Sequence, residues 1–185
     1  DSAPGLTRLS IDAQRRDAPG SIKGNARFAP DGKTLDVDLV ADEPAGGLLS
    51  RLLNIDGAPD FHAALQGHGS LDRWDGTLSL RAGQAVKVDG KATIRAVDAG
   101  HHRASLALTG DIAKALPADI SWLVQGATQV TGTALVDEQA LIAIENFTAG
   151  SAGFALQLGG KFDARAFVMD LNFALKTSDA KLYAA

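Results

Sequence analysis

The chain has 185 residues, a formal net charge of −4, 45% hydrophobic and 22% charged residues. That balance excludes a disordered polar chain. With acids and bases interspersed, it also excludes the clustered basic face of a nucleic-acid binder. There is no cysteine, so disulfides and thiolate metal sites are excluded as well, and an oxidising compartment fits. No apolar run approaches the roughly 18–20 residues that a membrane-spanning helix needs.

The opening "DSAPGLTRLS" carries no initiator Met, signal peptide or lipidation motif and starts in mid-pattern. It reads as part of a piece from a longer protein. Arg15-Arg16 lies in a polar, turn-like stretch and reads as a solvated loop. Period-two alternation then begins. In "SIKGNARFA" the residues Ile22, Gly24, Ala26 and Phe28 share a side, with Lys23, Asn25 and Arg27 opposite. "PDGK" at 30–33 suits a tight hairpin into "TLDVDLV", where Leu35, Val37 and Leu39 oppose Asp36 and Asp38.

"EPAGGLLSRLLNI" breaks the alternation and groups Leu48, Leu49, Leu52, Leu53 and Ile55 at helical spacing. Strands resume in "DFHAALQG" (Phe61, Ala63, Leu65), "KATIRAV" (Ala92, Ile94, Ala96) and "RASLALTG" (Ala104, Leu106, Leu108). A second amphipathic stretch, "DIAKALPADISWLVQG", is interrupted by Pro117. The two helical stretches start a little under seventy residues apart, and each leads through a Gly-rich corner into fresh strands. They predict repeat boundaries near 43–57 and 111–125 in a single β-rich unit.

The last third alternates most strongly. "FALQLGGKF" lines up Phe154, Leu156, Leu158, Gly160 and Phe162, and "AFVMDLNFAL" lines up Phe167, Met169, Leu171, Phe173 and Leu175. The prediction is a mainly β chain: a long, curled antiparallel sheet with one or two short helices. A dozen or so strands at about 4.8 Å each would make it roughly 55–60 Å long.

Catalytic readings find little support. His62 and His68 fall on the polar side of one strand, and His101-His102 fall in the turn "DAGHHRA" as solvated residues. Adjacent strand histidines point to opposite sides, a poor metal pair. Asp72, Asp75 and Asp98 read as turn caps. No G-x-S-x-G elbow or phosphate loop is present. Trp74, in "GHGSLDRWDGTLSL", reads as an anchor across the corner between two strands, with contact to a ligand at a groove rim as the lesser reading. The apolar periodicity fits either a filled sandwich core or an open groove for acyl chains.

The segments "EPAGGLLSRLL", "GAPDFHAALQGHGSLDRWDGTLSL", "VDGKATI" and "IENFTAGSAGFALQLGGKFD" resemble the central region of the TamB family, translocation and assembly module proteins related to AsmA-like proteins. The resemblance spans essentially the whole chain and rests on a diffuse strand-and-turn pattern. It implies a taco-like trough with an apolar concave lining, in a periplasmic rod anchored in the inner membrane by a segment not present here. It further implies phospholipid acyl chains as ligands, with no cofactor, metal or catalysis. An outer-membrane Omp85-type barrel would be a partner through regions outside this stretch. On this expectation the lining consists of Phe61, Leu65, Ile94, Leu106, Leu108, Val130, Phe154, Leu156, Leu158, Phe162, Phe167, Met169, Leu171, Phe173 and Leu175. The two helical stretches are not expected of a plain trough and would be plugs, rims or repeat boundaries. Two alternatives stand beside the conduit: a scaffold that pairs its edges with unfolded outer-membrane strands, and a closed structural sandwich.

Overall fold

The computed structural model describes residues 6–14, 16, 19–29, 31, 33–48, 51, 57–84, 86–113, 121, 124, 126–137, 139 and 141–177. Eleven strands follow one another: β1 (Thr7–Gln14), β2 (Ser21–Phe28), β3 (Leu35–Glu43), β4 (Phe61–Gly69), β5 (Arg73–Ala82) and β6 (Val86–Asp98). After them come β7 (His101–Asp111), β8 (Thr128–Asp137), β9 (Leu141–Gly150), β10 (Phe154–Asp163) and β11 (Val168–Thr177). All join one sheet in sequence order, each antiparallel to the next, and the sheet is not closed. Eleven strands at about 4.8 Å make it roughly 48 Å wide. The strands do not divide into two facing sheets, as a sandwich would require.

Most connections are short because antiparallel neighbours need only a hairpin. Between β2 and β3, Ala29 N donates to Thr34 O, and Asp31 Oδ1 accepts from Lys33 N inside the turn. Two connections are long, 44–60 and 112–127, where the sequence predicts helices near 43–57 and 111–125. Most of those helical residues lie outside the described set. Leu48, Arg51 and Ser121 are helical, while Glu43 closes β3 and Asp111 closes β7.

The register converts alternation into two-sidedness. Leu9, Ala26, Val37, Gly67, Gly76, Ala92, Leu106, Gly132, Phe147, Leu158 and Phe173 stand in one line across all eleven strands. A parallel line two residues along runs Ile11, Gly24, Leu39, Leu65, Leu78, Gly90, Leu108, Val130, Ala149, Leu156 and Leu175. Between them, pointing the other way, lie Ser10, Asn25, Asp38, Gln66, Thr77, Lys91, Thr131, Thr148 and Gln157. Side chains on that side bond across strands: Ser10 to Asn25, Gln66 to Asp38, and Thr131 with Thr148.

Among the described residues, little covers this sheet. The chain exposes 11936 Å², whereas a globular chain of 19.1 kDa would expose roughly 8400 Å². The buried cluster is small: Phe61, Ala82 and Val86, with Ala63, Leu80, Val88 and Ile112 packed against it at one end of β4–β6.

Candidate functional site: an apolar hollow over β5 to β9

Trp74 is the second residue of β5 and lies opposite Gly69 on one side and Ile94 on the other. Its six-membered ring lies over Gly67 and Gly76, where an added Cβ would come within 2.1 and 2.3 Å of ring carbons. Both positions therefore have to be glycine for the indole to lie flat on the sheet. Only 6% of Trp74 is exposed, and its buried Nε1 has no hydrogen-bond partner among the described residues. Arg95 fixes the backbone beside it, donating to Trp74 O at 2.6 Å and to Asp75 Oδ1 at 2.5 Å. The bond to Arg95 holds the Asp75 carboxyl below the usual carboxylate range.

Beside the indole, the small residues Ala92, Ala104 and Gly132 stand among Ile94, Leu106 and Phe147 and leave a hollow of about 410 Å³. Small residues open it and large ones wall it, and its lining is almost wholly apolar. Its volume falls in the range of about 300–1,000 Å³ that ligand sites occupy. A larger hollow of about 730 Å³ lies on the other side of the sheet over β1–β4, lined by Arg8, Arg27, Asp36, Asp38, Gln66 and His68. Size does not separate the two; chemistry does, since charged side chains stand among the walls of the second and none among those of the first. Hollows on opposite sides of one sheet follow from its twist.

Of the expected lining, Ile94 and Leu106 fall in the apolar hollow. Leu65, Leu108, Val130 and Leu156 stand one line away, and Leu158 pairs with Phe147 and Phe173. Phe61 belongs to the buried cluster instead. Phe154 opens β10 opposite Thr177, and Phe162 pairs with Ile142 and Met169. Met169, Leu171, Phe173 and Leu175 lie on the edge strand β11, each 40% or more exposed.

Phe167 departs from its predicted place. It occupies the β10–β11 turn at φ 54°, is 82% exposed, and meets Phe162 edge-on at 6.4 Å. The hairpin needs a left-handed residue there, so β11 starts at Val168. His101 and His102 are likewise the first residues of β7, with only Ala99–Gly100 left for the turn. His101 contacts Asp98 and His102 approaches Asp72 at 3.5 Å. Asp75 lies within β5 as the partner of Arg95 and is no turn cap.

Phe147 and Ile144 line the hollow although the sequence reading did not select them. By strict alternation they would point to opposite sides. One extra residue at Glu145–Asn146 forms a bulge in β9 and brings both to the same side. Arg103 reaches across β8 to that bulge and grips Glu145 with Nε at 2.8 Å and Nη2 at 3.0 Å. This fork lowers the Glu145 pKa and raises that of Arg103. A break in alternation at "ENF" was the available signal.

Among known proteins, no family model, curated protein or solved structure matches this chain. The functional reading therefore rests on the site and the sheet that carries it.

Proposed function

We propose that this chain is a non-enzymatic lipid-conducting segment of the TamB kind, in which phospholipid acyl chains lie along the apolar lines of the sheet. In this reading the segment belongs to a periplasmic bridge between inner and outer membranes, and the apolar side is the inside of a trough. The hollow bounded by Trp74, Ile94, Leu106 and Phe147 carries the proposal, because it is apolar, open and continuous with lines that cross every strand. A lipid tail on such a surface gains from lost apolar contact with water, about 25 cal/mol per Å². It meets no polar anchor along the line, so it can slide. The uncovered area of the sheet supports the same reading, since soluble chains rarely leave large apolar patches without a binding role.

The test is transfer of a fluorescent phospholipid from vesicles to the purified chain, with circular dichroism as a control for folding. Leu106→Arg, inside the hollow, is expected to reduce uptake at least about tenfold, because a cation on an apolar line is costly unless paired. Leu156→Arg, one line away, is expected to reduce it less. Unchanged uptake in a folded Leu106→Arg protein overturns the conduit. Capture of unfolded outer-membrane strands that survives this substitution would favour a scaffold acting through its edges.

A further inference from the structure

Two lines of residues run side by side across the centre of the apolar side. One is Gly69, Trp74, Ile94, Ala104, Ala134 and Ile144; the other is Gly67, Gly76, Ala92, Leu106, Gly132 and Phe147. From β6 to β8 the small members Ala92, Ala104, Gly132 and Ala134 open the hollow. Its two ends are closed differently. At β9 the bulge sets Ile144 and Phe147 on one side, and the Arg103–Glu145 fork grips the bulge. At β5 a single side chain closes both lines: Trp74 starts in the first and lays its ring over Gly67 and Gly76 of the second. From β5 to β9 is four strand spacings, about 19 Å. The tails of one leaflet reach about 15 Å, half of a hydrocarbon core of roughly 30 Å. The hollow is about one tail long.

We propose that the Trp74 indole is a movable stop: it halts an acyl tail in the hollow, and a tail passes towards β4 only when the ring leaves Gly67 and Gly76. This stop presupposes the lipid reading above and names the residue that paces it. Three observations favour movement at this end. Gly67, Gly69 and Gly76 give the ring no Cβ neighbour on β4 or further along β5, so no side chain there has to give way first. The buried Nε1 has no partner among the described residues, so the ring breaks no hydrogen bond on leaving and gains water as an acceptor. The backbone is held, since Arg95 donates to Trp74 O and to Asp75, and motion is left to the side-chain torsions, which have staggered alternatives. A tail over the bared glycines covers the surface that the ring had covered, so one apolar cover replaces another. With no charged side chain among the walls, the barrier to passage is steric, and this ring supplies it.

The experiment times release as well as capture. A chain carrying Trp122→Phe, which leaves Trp74 as its one tryptophan, is loaded from phosphatidylglycerol vesicles whose tails are brominated or plain. Brominated tails are expected to quench Trp74 emission, and plain tails are not. Release of a fluorescent phosphatidylglycerol is then followed against excess unlabelled vesicles, with circular dichroism to check folding. Gly67→Ala and Gly76→Ala place a Cβ within 2.1 and 2.3 Å of ring carbons and so force the ring off its bed. Each is expected to speed release about tenfold, a barrier change of about 1.4 kcal/mol, with the amount bound at saturation unchanged. A merely destabilised sheet would instead bind less. Trp74→Phe, a smaller ring without the donor, is expected to speed release by less, and it tests the stop with both glycines in place. Gly24→Ala, on β2, is expected to release at the wild-type rate. Uptake without quenching overturns the stop and leaves the conduit standing. So does wild-type release in the folded glycine variants or in Trp74→Phe, or release from Gly24→Ala as fast as from Gly67→Ala. A wild-type chain that takes up no phospholipid overturns both.

Discussion

Strands β4–β6 and the outer strands β1 and β11 are built on the same alternation, and their apolar residues end in opposite circumstances. Phe61, Trp74, Ala82 and Val86 are at most 6% exposed, whereas Leu9, Met169, Phe173 and Leu175 are 58% or more exposed. Hydrophobicity does not separate the two groups; phenylalanine occurs in both. What differs is the neighbourhood. In the centre, glycines lie beneath the indole and Ile112, from the long connection after β7, folds over the cluster. Among the described residues, β1 and β11 each have one neighbour in the sheet, and their apolar side chains lie uncovered. The centre is therefore where the fold is held.

The sharpest way to break this contrast is at Trp74. Trp74→Ala is expected to cost about 3–5 kcal/mol, the usual range for deleting a buried large aromatic, read as a lowered midpoint in urea unfolding. Next is the floor on which the ring rests. Gly76→Val should cost about 1–3 kcal/mol by overpacking, because the added atoms collide with the indole. The same Gly76→Val change combined with Trp74→Ala should lose less than the sum, since the collision is then gone. At the edge, Leu9→Ser is expected to shift stability by no more than about 0.5 kcal/mol; a loss as large as that of Trp74→Ala would erase the distinction between centre and edge.

The smallest effect expected is electrostatic. Asp75 and Glu145 have lowered pKa values because arginines bond their charged forms. A carboxylate lowered in the folded state stabilises the fold above its ordinary pKa, and that contribution fades as pH falls towards the lowered value. Both pairs are solvent-exposed, so the effect is modest. Wild-type protein should lose slightly more thermal stability on acidification from about pH 7 to about pH 3 than Glu145→Gln does, measured by the melting temperature. Equal losses would mean that the Arg103 fork does not hold the β9 bulge.

Much of the architecture was legible in the residues. Alternation marked the strands, the polar turns separated them, and the positions of the two long connections followed from the stretches where alternation lapsed. The site was only half legible. Ile94 and Leu106 follow from parity alone, but Phe147 does not, because a single extra residue in β9 reverses the parity after it. Phe167 failed for a related reason: the alternation of "AFVMDLNFAL" extends one residue further than the strand, and hairpin geometry took Phe167 for the turn.

The sequence by itself determined that this protein is an antiparallel β chain with a polar and an apolar set of residues, because a period of two admits only that division between two sides. Only the tertiary structure decided that the strands add in sequence order to one open sheet, and which apolar residues are buried. It also placed small side chains side by side beneath Trp74 and in the hollow. These depend on which residues face one another across strands, and register is a property of pairs that no single strand contains.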